Sequence, residues 1–220
     1  MSSKKRRGAR EPGAARRKPG PTSGDEHRGA ILAAATTLFS TQGYHGTGLR
    51  QVADLARVSV GNVYNHFPTK EALFAALMAE LEERYLAPDQ PIPLALAALD
   101  FPAGLETLGE AARRTVRAFA PYIRLIYVDV VEFEGRHLAR LYGGMQDRFR
   151  AIFAERFAGL AREGKLGDVD PLVAIMLTTI SYMYYFTVEH LFGVRRHYGM
   201  ADEQVIREFA RVFRNGILKR

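Results

Sequence analysis

The chain has 220 residues, 47% of them hydrophobic and 25% charged, enough to bury a core in one large domain or two small ones. It contains no cysteine, which excludes a disulfide framework and a thiolate metal site and fits a reducing cytoplasm. The net charge of +7 is local: residues 1–24 hold eight Lys/Arg against Glu11 alone, while the remaining residues balance 23 basic against 23 acidic side chains.

The first segment, MSSKKRRGAREPGAARRKPGPTSG, is rich in Gly, Pro and Arg and has no apolar period, so residues 1–24 are expected to form a disordered basic arm. It lacks the apolar run of a secretory signal, which agrees with a cytoplasmic protein. Such an arm suits a polyanion, and a merely solubilising tail would have the same composition.

From there the chain reads as all-α. Ser23 and Glu26 have the spacing of a capping box, and Ile31, Ala34, Ala35, Leu38 and Phe39 recur at helical spacing until Gly43. Thr47 is placed to cap a short second helix with Leu49, Val52, Ala53 and Ala56 on one face. Ser59 opens a third after a turn of only a few residues, so the two helices must cross steeply as a helix-turn-helix. Thr69 caps a fourth, whose Leu73, Leu77, Met78 and Leu81 lie inward.

The third helix carries the chemistry. As its N-cap, the Ser59 hydroxyl accepts from the Asn62 amide, and the side-chain-free Gly61 leaves the helix start open to a phosphate. Val63 and Phe67 face inward, leaving Asn62, Tyr64, Asn65 and His66 on the polar edge. Asparagine matches an adenine edge, while tyrosine, histidine and Lys70 suit phosphate oxygens. A polar loop between two helices would share the Gly and Asn content.

The stretch LAPDQPIPLALAALDFP has four prolines and reads as a linker with at most a short helix. Helical periods then cover 103–119, 121–134, 136–163, 171–193 and 202–218. Residues 171–188 carry no charge and reach the lower limit for a bilayer span, but a helix packed on its own domain and on a partner looks the same, and no membrane is expected. GLAREGKL, 159–166, lacks the Ser/Thr and the preceding strand of a phosphate loop. Glu134 and His137 have the Glu-x-x-His spacing of helical di-iron sites without a second copy, and the other histidines show no zinc spacing. No metal or cofactor is expected. No nucleophile, base and orienting group converge, so the chain does not read as an enzyme.

Residues 31–77 resemble the DNA-binding domain of the TetR (tetracycline repressor) family of bacterial regulators. The resemblance rests on the Ala and Phe of helix one, Gly43 with Tyr44, Thr47, Val52 with Ala53, Val58 with Ser59, Gly61, Tyr64, His66 with Phe67, and Lys70 with Glu71. It implies a three-helix reader over residues 25–70, with helix three in the major groove, joined to a larger helical ligand-binding and dimerisation domain over 71–220. The DNA contacts it implies are Thr47, Ser59, Val60, Gly61, Asn62, Tyr64, Asn65, His66 and Lys70. Three positions depart from the family pattern: Gly48 where a hydroxyl is common, Arg57 where glycine is frequent, and Val60 where lysine is frequent.

The same resemblance implies a transcriptional regulator, a homodimer through its two C-terminal helices, bound to a palindromic double-stranded DNA operator. A repressor released by a small, mainly hydrophobic molecule is the expected form. A ligand-independent DNA-binding protein and a helical metal-binding enzyme are the alternatives. Phe119, Tyr122, Ile126, Tyr127, Val130, Phe149, Phe153, Met176, Tyr182, Met183 and Phe186 lie on helices expected to line the pocket. Asp129, Glu132 or Glu189 would favour a cationic ligand if any faced inward.

Overall fold

The computed structural model describes residues 23–217, so the expected basic arm, its last two residues excepted, lies outside the described residues. Those two, Ser23 and Gly24, already belong to α1 (Ser23–Gln42); Ser23 is helical and is not the cap preceding the helix. Among the described residues the elements are all helices: α2 (Leu49–Ala56), α3 (Val60–His66), α4 (Lys70–Tyr85), α5 (Pro91–Ala98), α6 (Leu105–Ala118), α7 (Ala120–Phe133), α8 (Ala139–Gly143), α9 (Met145–Arg162), α10 (Pro171–Phe186) and α11 (Asp202–Ile217). A π-helical turn, Thr187–Leu191, continues α10. The single helix expected over 136–163 starts only at Ala139 and is interrupted at Gly144, between α8, which ends on Gly143, and α9; glycine is a poor helix former.

Local signals set the ends of the first four helices. Gly43, at φ +76, stops α1 in a conformation that side chains disfavour. Ser59 Oγ accepts from the Asn62 amide at 3.1 Å and Thr69 Oγ1 from the Ala72 amide at 3.0 Å, caps worth about 1 kcal/mol each. The start of α2 differs from expectation. Its N-cap is Gly48, whose amide donates to the Gln51 side chain at 2.8 Å; glycine has no side chain to complete the box. Thr47 is instead buried, 1% exposed, with its hydroxyl donating to the Gly43 carbonyl at 2.8 Å. Arg57 closes α2 in the left-handed region, φ 58, a conformation that costs a non-glycine residue roughly 1–2 kcal/mol.

Two apolar clusters form the core. Ile31, Phe39, Val52, Val63, Phe67, Phe74 and Leu77 of α1–α4 pack with Tyr122, Leu125 and Phe133 of α7, so the packing around the helix-turn-helix runs on past residue 70. The second cluster joins α5, α6, α9, α10 and α11 through Leu96, Leu108, Phe153, Ile175, Tyr182, Phe186 and Ile206. Gly109 allows the close approach there, since a Cβ would lie 3.0 Å from both Ile206 and Tyr182. The Tyr182 hydroxyl donates to the Ile206 carbonyl at 2.7 Å and pins α10 to α11. Pro171–Leu191 is long and apolar enough to cross a bilayer, with a mean hydropathy of 1.4, but half of that window is buried inside the fold. Its neighbours there are α6, α9 and α11.

Candidate nucleic-acid interface and ligand cavity

The short α3 presents its polar edge as the spacing predicts, with Val63 and Phe67 buried beneath it. Ser59, Gly61, Tyr64 and Asn65 are exposed, Tyr64 by 52%. The other predicted contacts sit deeper. Val60 packs partly against the core of the unit, and His66 is half-buried beside Phe67. Asn62 turns toward α1, its Nδ2 3.5 Å from His27 Nδ1, while its buried Oδ1 has no partner among the described residues. Thr47 lies inside the fold, as described above, with its hydroxyl turned to the Gly43 carbonyl.

Lys70 is engaged within the fold. Its ammonium donates to the carbonyls of Tyr44 and Thr47 at 2.9 and 3.0 Å and lies 4.3 Å from the centre of the Tyr44 ring. These contacts use most of its hydrogen-bonding capacity and tie the start of α4 to the α1–α2 turn. From the opposite side, the Glu132 carboxylate at the end of α7 accepts from the amides of Tyr44 and His45 at 3.0 and 2.9 Å. A lysine thus holds the carbonyls of the turn and a glutamate holds its amides. The Tyr44 ring completes the attachment, 4.6 Å from Phe133 and 5.6 Å from Phe74, whose own ring stacks on Phe133 at 4.8 Å. Arg136, just beyond α7, pairs with Glu71 at 3.0 Å.

The other end of α7 faces a cavity of about 490 Å³, well within the roughly 300–1,000 Å³ of small-molecule sites. Its walls come from α4, α5, α7, α8, α9, α10 and the π-helical turn, and are mostly apolar. Ile126, Tyr127, Phe149 and Met183 line it as expected. The other predicted lining residues do not. Phe119 and Tyr122 are buried in the core shared with the helix-turn-helix, and Phe153, Met176, Tyr182 and Phe186 pack in the second cluster. Val130 is exposed by 52% on the outer surface of α7. Helical spacing identifies an apolar face but does not say whether that face meets another side chain or a void.

Tyr85, Leu86, Tyr142, Met145, Arg148 and Thr179 are lining residues that the sequence reading missed. Tyr85 and Leu86 had a legible signal, as the apolar end of α4 opposite the linker; Arg148 had none, being one arginine of many. Burial, with the neighbouring Tyr142, pushes the Tyr85 hydroxyl up to about 12. Burial and the nearby Tyr184 and Tyr142 also raise Tyr127. Both therefore remain protonated donors at neutral pH.

The three acids considered for a cationic ligand are all engaged elsewhere. Asp129, fully buried, accepts from the His137 amide at 3.2 Å and faces the His137 ring nitrogen Nδ1. His137 is therefore matched with Asp129 and not with Glu134, which sits in the left-handed conformation at the end of α7. Glu132 holds the α1–α2 turn. Glu189, 1% exposed, accepts from the amides of Arg196 and His197 at 2.9 and 3.1 Å and faces His197 Nδ1 at 2.8 Å.

Residues 31–77 match the model of the bacterial regulatory proteins of the tetR family. The HTH-type transcriptional regulator RutR of Escherichia coli is 30% identical over 201 residues, covering 87% of this chain and 90% of that protein. The HTH-type transcriptional activator FasR of Mycolicibacterium smegmatis is 38% identical over 73 residues, 33% of each chain. Among solved structures, a TetR-family regulator from Mesorhizobium loti superposes with a TM-score of 0.63 at 20% identity, over 90% of this chain and 100% of that one. Salmonella enterica GusR gives 0.61 at 23% identity, over 88% and 98%. These last two likenesses concern the fold. The similarity to RutR along nearly the whole chain, together with the exposed α3 on its helix-turn-helix support, shows that this chain belongs to the TetR family, as a DNA-binding transcriptional regulator and not an enzyme.

Proposed function

We propose that the chain is a homodimeric repressor that occupies a palindromic operator and leaves it when a mainly apolar ligand fills the cavity. One observation carries the coupling. Ile123, Ile126 and Tyr127 of α7 line the cavity, and Glu132 and Phe133 of the same helix grip the turn that leads into α2 and α3. A ligand that shifts α7 by a fraction of a turn therefore acts on the reader through a rigid element. Because α4 also runs from Lys70 to the cavity residue Tyr85, both helices connect the two sites. A coupling of about 1–3 kcal/mol weakens operator binding 5- to 150-fold.

The reading unit is residues 25–70, supported by α4 and α7, with 71–220 as the ligand and dimerisation domain. Ser59, Gly61, Tyr64 and Asn65 are the proposed DNA contacts on the open edge of α3, with Val60 and His66 beside them. Asn62 joins them only by turning away from His27. Thr47 and Lys70 position the turn. The dimer is supported by the apolar stripe Val173, Leu177, Ile180 and Tyr184 on α10, each about half exposed, of which Ile180 and Tyr184 also border the cavity, and by Val212 on α11, 64% exposed. Their recurrence along α10 marks one continuous face, and a two-fold pairing of that face sets two α3 helices for two half-sites. A DNA partner places the protein in the cytoplasm.

Selection of bound duplexes from a random pool, followed by titration of the winning sequence, tests this reading. A palindromic consensus, with dimer stoichiometry by light scattering, is the expected result; enrichment without a consensus would favour sequence-blind binding by the basic arm. Since FasR is a transcriptional activator, the sign of regulation is read separately, from reporter output with and without the protein. A saturating cavity ligand that left operator affinity unchanged would overturn the release step.

A further inference from the structure

The cavity contains one feature that an apolar ligand leaves unexplained. Among the described residues that line it Arg148 alone is charged, and none of them is Asp or Glu. It is partly buried, and among the described residues its one side-chain hydrogen bond runs from Nη2 to the Leu141 carbonyl. That contact anchors one arm of the guanidinium at the junction of α8 and α9 and leaves donors of the planar fork without a carboxylate partner among the described residues. The acids considered for a cationic ligand, Asp129, Glu132 and Glu189, do not line the cavity and are held by His137, by the α1–α2 turn and by the loop after the π-helical turn.

We propose that the cavity takes an apolar monocarboxylate, an aliphatic or aryl acid, whose carboxylate pairs with Arg148 while its body lies among Ile92, Leu96, Ile123, Ile126, Phe149 and Met183. This rests on the reading of the cavity as the effector site and gives its ligand a charge and a shape. A partly buried cation facing apolar walls attracts an anion more strongly than one in open water, because the surrounding dielectric is lower. The guanidinium fork matches a carboxylate in two parallel hydrogen bonds, which a neutral amide cannot accept and an ammonium opposes. Tyr85 and Tyr127, kept protonated, supply further donors to the same oxygens or to a ring substituent. Selectivity therefore belongs to the charged end, and the long apolar wall tolerates variation in the body.

The full-length protein is titrated calorimetrically with octanoate and with 4-phenylbutyrate, each beside its primary amide and its primary amine. The acids are expected to bind at least tenfold more tightly than the amides, and the amines least of all. In Arg148→Gln this preference is lost while amide binding persists; Arg148→Lys keeps part of it. Equal binding of acid and amide by the wild-type protein overturns the proposal without recourse to any variant, as does failure of both acids to bind at millimolar concentration. A preference for acids that survives Arg148→Gln overturns the assignment to this residue. Operator affinity, measured by fluorescence anisotropy with the acid bound, separates the two readings: an acid held by Arg148 that leaves DNA binding unchanged sinks ligand-driven release and leaves the carboxylate site standing.

Discussion

The helix-turn-helix and the cavity are both made of helices, yet contacts of very different range build them. Around α2 and α3 the deciding bonds are local: Ser59 to Asn62, Thr69 to Ala72, Gln51 to Gly48, Thr47 to Gly43. The cavity gathers Tyr85, Ile126, Phe149 and Met183, which share no turn and no helix. A short-range unit can be recognised from any window that contains it, whereas a void exists only when several helices have docked. The α1–α2 turn lies between these regimes, since Lys70 reaches it from nearby and Glu132 from far along the chain.

The strongest way to break this division is to remove a side chain that serves both units. Phe74 is fully buried, touches Phe39 and Tyr44 and stacks on Phe133, so Phe74→Ala is expected to cost about 3–5 kcal/mol. Urea denaturation followed by circular dichroism should show a lower midpoint in one transition. Two separate transitions in the wild-type protein would mean that the units fold independently and that α7 is not a rigid link.

Glu132→Ala sharpens the comparison at the junction. It strips the Tyr44 and His45 amides of their acceptor, a loss of about 1–3 kcal/mol in hydrogen bonding, and should weaken both operator affinity and its response to ligand. Anisotropy with an unchanged ligand response would show that α4 alone transmits. On the reader itself, Asn65→Ala should cost about 1–3 kcal/mol of operator binding and relax preference at one base pair, with the thermal midpoint unaltered. Equal loss on random duplexes would instead make it a phosphate contact.

Acid should act on the cavity domain before the reader. His190 is held below its ordinary value by burial and then by Arg117, so the unfolded chain takes up this proton first and stability falls as pH drops below about 6.5. Burial works against a low value at Glu189, but the amides of Arg196 and His197 and the His197 ring hold it down. Its contribution is present above the ordinary carboxylate range and is lost as pH falls through its lowered value. Thermal melts from pH 7 to pH 4 should therefore show a falling midpoint, with tertiary signals from the tyrosines of α10 changing first. The smallest effect is expected at Arg57→Gly. Relief of the left-handed strain is partly offset by the added freedom of glycine in the unfolded chain, for a net gain of up to about 1 kcal/mol in calorimetric stability.

The caps at Ser59 and Thr69 and the inward Val63 and Phe67 were legible because each is a relation between neighbours, whereas Arg57 stood out only as a departure from the family pattern. The sequence reading fell short where a polar side chain had two possible partners. Thr47 looked like a cap, and nothing in its spacing or in that of Lys70 reveals that carbonyls of a folded turn lie within reach. Among apolar residues the same limit separated Phe149, which faces the cavity, from Phe153, which packs in the core one turn later on the same helix.

The sequence by itself determined the helical class, the helix-turn-helix and the polar edge of α3, because helix periodicity, caps and tight turns act within a few residues. Tertiary structure alone decided which apolar faces enclose a void, that Arg148 is its one charged lining residue among those described, and that Glu132 grips the reader. Those outcomes depend on how helices distant in the chain pack against one another, and a charge or an aromatic ring acquires its role only from what that packing sets opposite it.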